Sequence, residues 1–556
     1  MINTVTATGQ SPLDTASLDT AVIDVGTRPL DRPVDQNVYG HFLEQAFYGN
    51  IDGGVFDEGS ELSITEPGPL QGCRTDVLEH CRALGVPVLR WPGGNFTSAY
   101  WWRDGVGPRD DRPRRLELAW GNEESNRFGT PEFLAWSAAV GAEPYLAHSC
   151  RSVDDAVRWV EYTNHAGDTE LTRLRAADGH PDPYRVRYWG LGNEVYGRWQ
   201  MGHRSPQRYV EDAVEHARFM RNVDPSLSFI AVGHERDSWL EPVVAGLGSV
   251  ADYFSLHLYG SSRHLVDPSA EEFSAVVGQA LFFEQAIVEF SQQLHGLAAR
   301  HRIERPLAIS MDEWNMRHVE PRSWPEPQPG EDGGIAAREL PDQEVDHPTR
   351  VNRHSPRTLA DALFYAGVFH AFHRAAQLPA PVTMANTVNL INANGLINVR
   401  PNGSVRTATY HVWDLYQNHF GHRPTPSRTR CAATWTDTRL SDAHRRPDGG
   451  YWTMPRAVPD LDVSSALTED GRLTVAMINR SAGADVTAQL SFDGKIDSVP
   501  TTAECRTIGV GGADLFAVNM IGGPDHVALS APARVTLVDG QITLPAHSIT
   551  LLTFPR

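Results

Sequence analysis

Cysteine is scarce in this chain: Cys73, Cys81, Cys150, Cys431 and Cys505 are all it has in 556 residues. The total is odd and no Cys-x-x-Cys pair occurs, so a disulfide framework is excluded and reduced, mostly buried thiols are expected. Basic charge is short as well. Lys and Arg number 49 against 69 Asp and Glu, a net charge of -20 that repels nucleic-acid phosphates and anionic membranes and points to a neutral substrate. The opening residues, MINTVTATGQSPLDTASLDTAVIDVG, lack the basic and apolar segments of a secretion signal, and no apolar run has the length of a membrane span. Cytoplasmic residence is therefore expected. Neither His-x-x-x-His nor a phosphate loop with its Lys-Ser/Thr is present, and no metal or cofactor is expected.

What is present is alternation. Between about residues 34 and 405, short apolar runs alternate with longer amphipathic segments, the pattern of a parallel sheet with crossover helices. The runs are VDQNVYGHFLE, VPVLRWPGG, AEPYLAHS, VRYWGLGNE, LSFIAVG, YFSLHLYG, PLAISMDEW and APVTMANTV. Eight such repeats predict a closed (β/α)8 TIM barrel. Thr130-Pro131, Ser205-Pro206 and Ser355-Pro356 read as N-caps followed by proline in the first helical turn. From 406 to 556 the texture becomes short strands punctuated by Gly, Asp and Pro, which predicts a C-terminal β-sandwich. The first 33 residues contain LDTAVIDVGTRPL, a strand-like segment expected to pair with that sandwich. Residues 319–355, rich in Pro, Gly and acids, read as a long surface loop.

Chemistry in such a barrel sits at the carboxyl ends of the strands. The fourth run delivers Asn193 and Glu194 there, and the seventh delivers Asp312, Glu313, Trp314 and Asn315. Two carboxylates across one barrel mouth suit glycoside cleavage, one protonating the leaving oxygen while the other attacks or activates water. Other strand ends supply groups able to bind a sugar: Glu44, the Pro92-Gly93-Gly94-Asn95 turn, and His257 with Tyr259. Trp314 and Trp102 are candidate stacking platforms, Trp199 reads as packing, and Arg90 could pair with a catalytic carboxylate or serve the barrel interior. An acid in this role is expected to have a raised pKa, and the nucleophile to stay ionised.

The stretches YGHFLEQAFYGNIDGGVFDEG, VLRWPGGNFTSAYWWRDGVGPRDDRP, WGNEESNRFGTPEFLAWSAAVGAEPYLAHS, WGLGNEVYG, FSLHLYG and MDEWN resemble glycoside hydrolase family 51, the alpha-L-arabinofuranosidases. The resemblance runs from about 39 to 315 and continues more loosely through MANTVNLINANGLI. It implies Glu194 as acid/base, Glu313 as nucleophile, furanose binding by Glu44, Asn95, Asn193 and Tyr259, a jelly-roll sandwich from the terminal segments, and an intracellular oligomer, often a hexamer. The implied activity is exo-acting, retaining release of terminal alpha-L-arabinofuranosyl residues from arabino-oligosaccharides.

The chain also departs from that family. Asn389 stands where glutamine is usual in the eighth strand's MAN-x-x-Q segment, and Gln45 where histidine is common. These departures bear on which furanoside is preferred. A β-D-galactofuranosidase, a D-arabinofuranosidase, a xylosidase or glucanase on the same scaffold, and a carbohydrate-binding protein without catalysis remain the competing readings.

Overall fold

The computed structural model describes residues 20–265, 268–318, 356–436, 457–509 and 514–556. The loop expected at 319–355 and the cap expected at Ser355 lie outside them.

After a first strand, β1 (Ala21–Val25), eight strands close a parallel barrel: β2 (Gly40–Phe42), β3 (Val88–Trp91), β4 (Glu143–His148), β5 (Tyr188–Leu191), β6 (Ser228–Ala231), β7 (Tyr253–Ser262), β8 (Ala308–His318) and β9 (Val382–Thr387). Six of the eight predicted runs contain one of them, and the other two, YFSLHLYG and PLAISMDEW, fall short of the strand's end, at Ser262 and His318. Their order around the barrel follows the chain, with β9 closing onto β2 through Asn386↔Gly40 and Thr387↔His41. Strands buried on both faces have no polar side, which is why the sequence shows them as continuous apolar runs.

Nine α-helices connect or cover these strands among the described residues. Helix α5 (Pro206–Val223) begins as its sequence suggests, with Ser205 accepting from Arg208 N–H. Helix α2 (Thr130–Val140) begins one residue earlier than expected, with Gly129 in the cap position. The reason is that Thr130 is buried and its hydroxyl accepts from Trp159 Nε1 at 3.1 Å. Helix α8 (Leu359–Ala375) is capped by Thr358, whose hydroxyl accepts from Asp361 N–H while Asp361 bonds back to Thr358 N–H at 2.8 Å. Helix α7 (Ala270–Arg300), at 31 residues, is long and apolar enough to cross a membrane, contrary to the reading that no such stretch exists. Most of its apolar window is buried inside the protein against α8, as in a core helix.

The last of these helices, α9 (Ala408–His419), lies beyond residue 405 and packs on α1 (Thr75–Leu84) and α8. Two sheets follow. One orders Ser427–Arg430, β1, Val486–Phe492 and Gln541–Leu544; the other has six strands, with Leu473–Asn479 and Ser548–Phe554 at its centre. Ile23, Val25, Val463, Val475, Met477, Leu490, Leu552 and Phe554 form the apolar layer between them. β1 pairs antiparallel with Ser427–Arg430 and parallel with Val486–Phe492. Helix α8 is buried almost throughout and joins this unit to the barrel, with His373 Nδ1 2.8 Å from Ser464 Oγ and Arg374 paired to Asp462. All five cysteines are free and buried.

Candidate active site

β5 is apolar and buried until Gly192, where φ of +95° turns the chain out of the barrel and Glu194 follows at φ +43°. A non-glycine residue in the left-handed region costs about 1 kcal/mol or more and persists where surrounding contacts impose it. Here those contacts converge on the carboxylate. Glu194 Oε2 accepts from Trp199 Nε1 at 3.1 Å and Gln200 Nε2 at 3.4 Å, and Oε1 lies 2.9 Å from His257 Nδ1 and 3.4 Å from Tyr196 OH.

On β8 the pairing register slips on both sides between Ser310 and Trp314. Such a bulge re-aims side chains and lets consecutive residues share one face. Asp312 and Glu313 accordingly both point inward. Asp312 accepts from Tyr145 OH at 2.7 Å, and Glu313 Oε2 accepts from Tyr259 OH at 2.8 Å. Arg90, buried at the end of β3, ties the two halves together: Nη1 bonds Glu313 Oε1 at 2.8 Å and the Asp312 carbonyl at 2.9 Å, and Nη2 bonds Asn193 Oδ1 at 2.6 Å. It pairs with Glu313 and is at the same time buried inside the barrel, so both readings of Arg90 describe it. Asn193 Nδ2, buried and without a hydrogen-bond partner among the described residues, is left to donate elsewhere.

His257 completes the centre, with Nδ1 3.5 Å from Glu313 Oε2 and Nε2 3.2 Å from Asp312 Oδ1. Burial works against its charge, but the Glu313 charge and the contacts with Asp312 and Glu194 win, and its pKa is raised. Burial likewise works to raise the Glu194 pKa, and the His257 hydrogen bond and charge, aided by Trp199 and Arg317, outweigh it and lower it. This is the reverse of the raised acid expected from sequence. The cause is a neighbouring imidazolium, which depends on side chains far apart in the chain.

Glu44 sits over the glycine turn, Oε1 accepting from Phe96 N–H at 2.9 Å and Trp120 Nε1 at 3.1 Å. Burial dominates these bonds and pushes its carboxyl up to about 8. Asn95 Oδ1 accepts from Gln200 Nε2, whose Oε1 is held by Ser98 Oγ at 2.9 Å. Asn389 is buried, Nδ2 donating to the Ala393 carbonyl at 3.1 Å and Oδ1 without a hydrogen-bond partner among the described residues. Gln45 is engaged with Glu124, Phe128 and Trp91.

The two candidate platforms are not brought to this cluster. Trp314 is fully buried on the helix side of β8 and stacks against Trp413, with Tyr365, Phe369 and Phe372 around it. Trp102 is buried parallel to Trp159, its Nε1 donating to the Asp155 carbonyl. The indoles that do reach the site are Trp199, 45% exposed beside Glu194, and Trp120 on Glu44. Both come from loops; Trp120 opens one of the motif blocks, whereas Trp199, which the sequence analysis read as packing, lies two residues beyond another.

Ligating side chains cluster twice among the described residues. One cluster is Glu194, His257 and Glu313, whose ligating atoms lie within 4.8 Å of one another. The other is the buried trio His264, His318 and Asp361. There Arg357 Nη1 lies 3.3 Å from His318 Nε2 and 3.6 Å from Asp361 Oδ1, so a guanidinium already fills the place of a cation.

Comparison with known proteins follows this geometry. Residues 80–275 match the family model "Alpha-L-arabinofuranosidase 1 domain" and residues 312–548 match "Alpha-L-arabinofuranosidase C-terminal domain". A probable alpha-L-arabinofuranosidase C of Aspergillus clavatus is 32% identical over 536 residues, spanning 93% of this chain and 94% of that one. An intracellular exo-alpha-(1->5)-L-arabinofuranosidase of Streptomyces lividans is 30% identical, over 92% of this chain and 71% of its own. Among solved structures, the alpha-L-arabinofuranosidase of Thermotoga maritima in its arabinose complex superposes with a TM-score of 0.78 at 30% identity, covering 96% of this chain and 99% of that one.

Proposed function

Because this chain belongs to the alpha-L-arabinofuranosidases of glycoside hydrolase family 51, a family of retaining enzymes, we propose that it releases terminal non-reducing alpha-L-arabinofuranosyl residues by double displacement, with Glu313 as nucleophile and Glu194 as acid/base. The observation that carries the retaining, double-displacement reading is the approach of the two carboxylates. A Glu194 oxygen and a Glu313 oxygen lie within 4.8 Å, close to the spacing of about 5 to 5.5 Å at which the second carboxylate attacks directly and configuration is retained; inverting enzymes need about 6.5 Å or more for an intervening water.

Glu313 approaches the anomeric carbon with Arg90 and Tyr259 fixing its oxygens, while Glu194, braced by Trp199 and Gln200, faces the leaving oxygen. Glu44, Asn95, Asn193 and Tyr259 surround the furanose ring, and the unpartnered Asn193 Nδ2 supplies a donor for a sugar hydroxyl, a bond of the kind that strengthens in the transition state. Trp199, half open beside Glu194, lies on the leaving-group side.

Short arabino-oligosaccharides inside the cell, cleaved by a homo-oligomer, complete the reading. The net charge of -20 and the Streptomyces relative named intracellular support the setting.

The test is hydrolysis of p-nitrophenyl alpha-L-arabinofuranoside. Wild type turns over, Glu313→Ala does not, and Glu194→Ala is rescued by azide, giving the azide of retained configuration. A wild type that prefers a galactofuranoside or a pyranoside would sink the substrate assignment.

A further inference from the structure

The leaving group has to be held as well as the furanose, and the side chains around Glu194 and Glu313 show which groups are left to hold it. We propose that Arg317 binds the leaving-group sugar, its guanidinium donating to the oxygens of an uncharged residue and so favouring sugar-linked over simple arabinofuranosides. The inference deepens the functional reading above and rests on Glu194 as acid/base and Glu313 as nucleophile.

Arg317 follows Glu313 on β8. From Glu313 onward that strand pairs in regular register with β7, Glu313 against His257 and Arg317 against Ser261. By the two-residue alternation of a strand, Arg317 therefore leaves from the face that carries the nucleophile. Its Cζ stands 3.8 Å from the centre of the Tyr259 ring, and the hydroxyl at the far end of that ring donates to Glu313 Oε2 at 2.8 Å. The stack holds the guanidinium over the barrel mouth. Glu194 feels burial most, then the His257 imidazole, then Trp199 and the charge of Arg317, so the guanidinium stands near the acid/base as well.

What this guanidinium lacks is a polar partner. Arg90 is fully engaged by Glu313, the Asp312 carbonyl and Asn193. Arg317 is half-buried, and among the described residues no carboxylate or carbonyl takes any of its N–H groups; the Tyr259 ring is what it rests on. A planar fork of five donors with no acceptor matches a ligand rich in oxygen. Trp199, 45% exposed at Glu194, adds an open aromatic face. A sugar calls for both, an apolar surface under its C–H bonds and donors for its oxygens. Charge then selects the class of sugar. Glu194, Asp312 and Glu313 bring three carboxylates to this mouth and the chain carries a net charge of -20, so an acidic sugar is repelled and a neutral one fits.

Two substrates test this. Methyl alpha-L-arabinofuranoside and alpha-(1→5)-arabinobiose both release an alkoxide that Glu194 must protonate, and only the second has a sugar in its leaving group. The ratio kcat/KM reports the half of the reaction in which that group departs. Arg317→Met keeps an unbranched apolar stem over Tyr259 and removes every donor. The expected result is a fall of about 10-fold or more on arabinobiose, the scale of a hydrogen bond from a charged donor, with kcat/KM on the methyl glycoside within about twofold of wild type and its pH profile unmoved. Arg317→Lys should recover part of the loss on arabinobiose. Equal losses on both substrates, a displaced pH profile on the methyl glycoside, or no loss on either would show that Arg317 does not act on the leaving sugar, and would overturn the proposal. A wild type that turns over neither substrate overturns the functional reading itself, and the proposal with it.

Discussion

Gly94 faces Glu313 so closely that a Cβ on the glycine would stand 2.9 Å from Oε1 of the carboxylate. The proposed nucleophile therefore rests against bare backbone, and Gly94→Ala has only Glu313 and, at 3.4 Å, Phe42 to displace. Misplacing a reacting group by about 1 Å can cost about 10²-fold in rate. Gly94→Ala should keep its melting temperature within a few degrees and lose about that factor in kcat, measured on p-nitrophenyl alpha-L-arabinofuranoside.

Arg90→Lys should be a severe change. One ammonium cannot replace a fork that holds Glu313, the Asp312 carbonyl and Asn193 at once. We expect kcat to fall by about 10²-fold or more. Steady-state kinetics showing a change in KM alone would contradict this.

Glu44 links pH to both binding and stability. Its carboxyl, ordinarily at 4.5, titrates at about 8 in the folded protein. The folded state holds the proton more tightly than the unfolded one, so stability is greatest below about pH 4.5 for this group, declines as pH rises to about 8 and levels off above. Glu44→Gln should therefore gain in melting temperature relative to wild type between pH 5 and pH 8. Because Phe96 N–H and Trp120 Nε1 both bond Oε1, the protonated Oε2 can donate to a sugar hydroxyl, and wild-type KM should climb above pH 8.

Trp314→Ala should behave as a core mutation. Removing an indole packed among Trp413, Tyr365 and Phe372 costs about 3 to 5 kcal/mol. Chemical denaturation should show that loss, while the KM of the folded fraction stays within about twofold of wild type. A KM shift without loss of stability would return Trp314 to the sugar site.

The barrel was legible because a doubly buried parallel strand leaves a compact apolar signature, repeated eight times, and because polar residues interrupt it where each strand meets solvent. Glu194, Glu313, Asn193, Glu44, Asn95, His257 and Tyr259 all stood at such interruptions, and the structure gathers them into one cluster. Trp314 stood at one too, yet it points the other way. The bulge that turns Asp312 and Glu313 inward together sends the next residue out to the helices, and a register slip leaves no mark in the pattern of residue types. Trp120 and Trp199 arrive on loops whose path is set by what they touch. The state of Glu194 was hidden for a similar reason, since the imidazole that controls it lies 63 residues away.

β1 comes first among the described strands, and its partners come near the end of the chain. Ser427–Arg430 and Val486–Phe492 leave the ribosome some four hundred residues after it, when the whole barrel has already been synthesised. During that interval Ala21–Val25 is an unpaired apolar segment tethered to a growing barrel, and the sheet that receives it cannot assemble until nearly the whole chain exists. A product ending before residue 427 thus carries this strand with neither of its partners, an exposed apolar edge of the kind that favours aggregation.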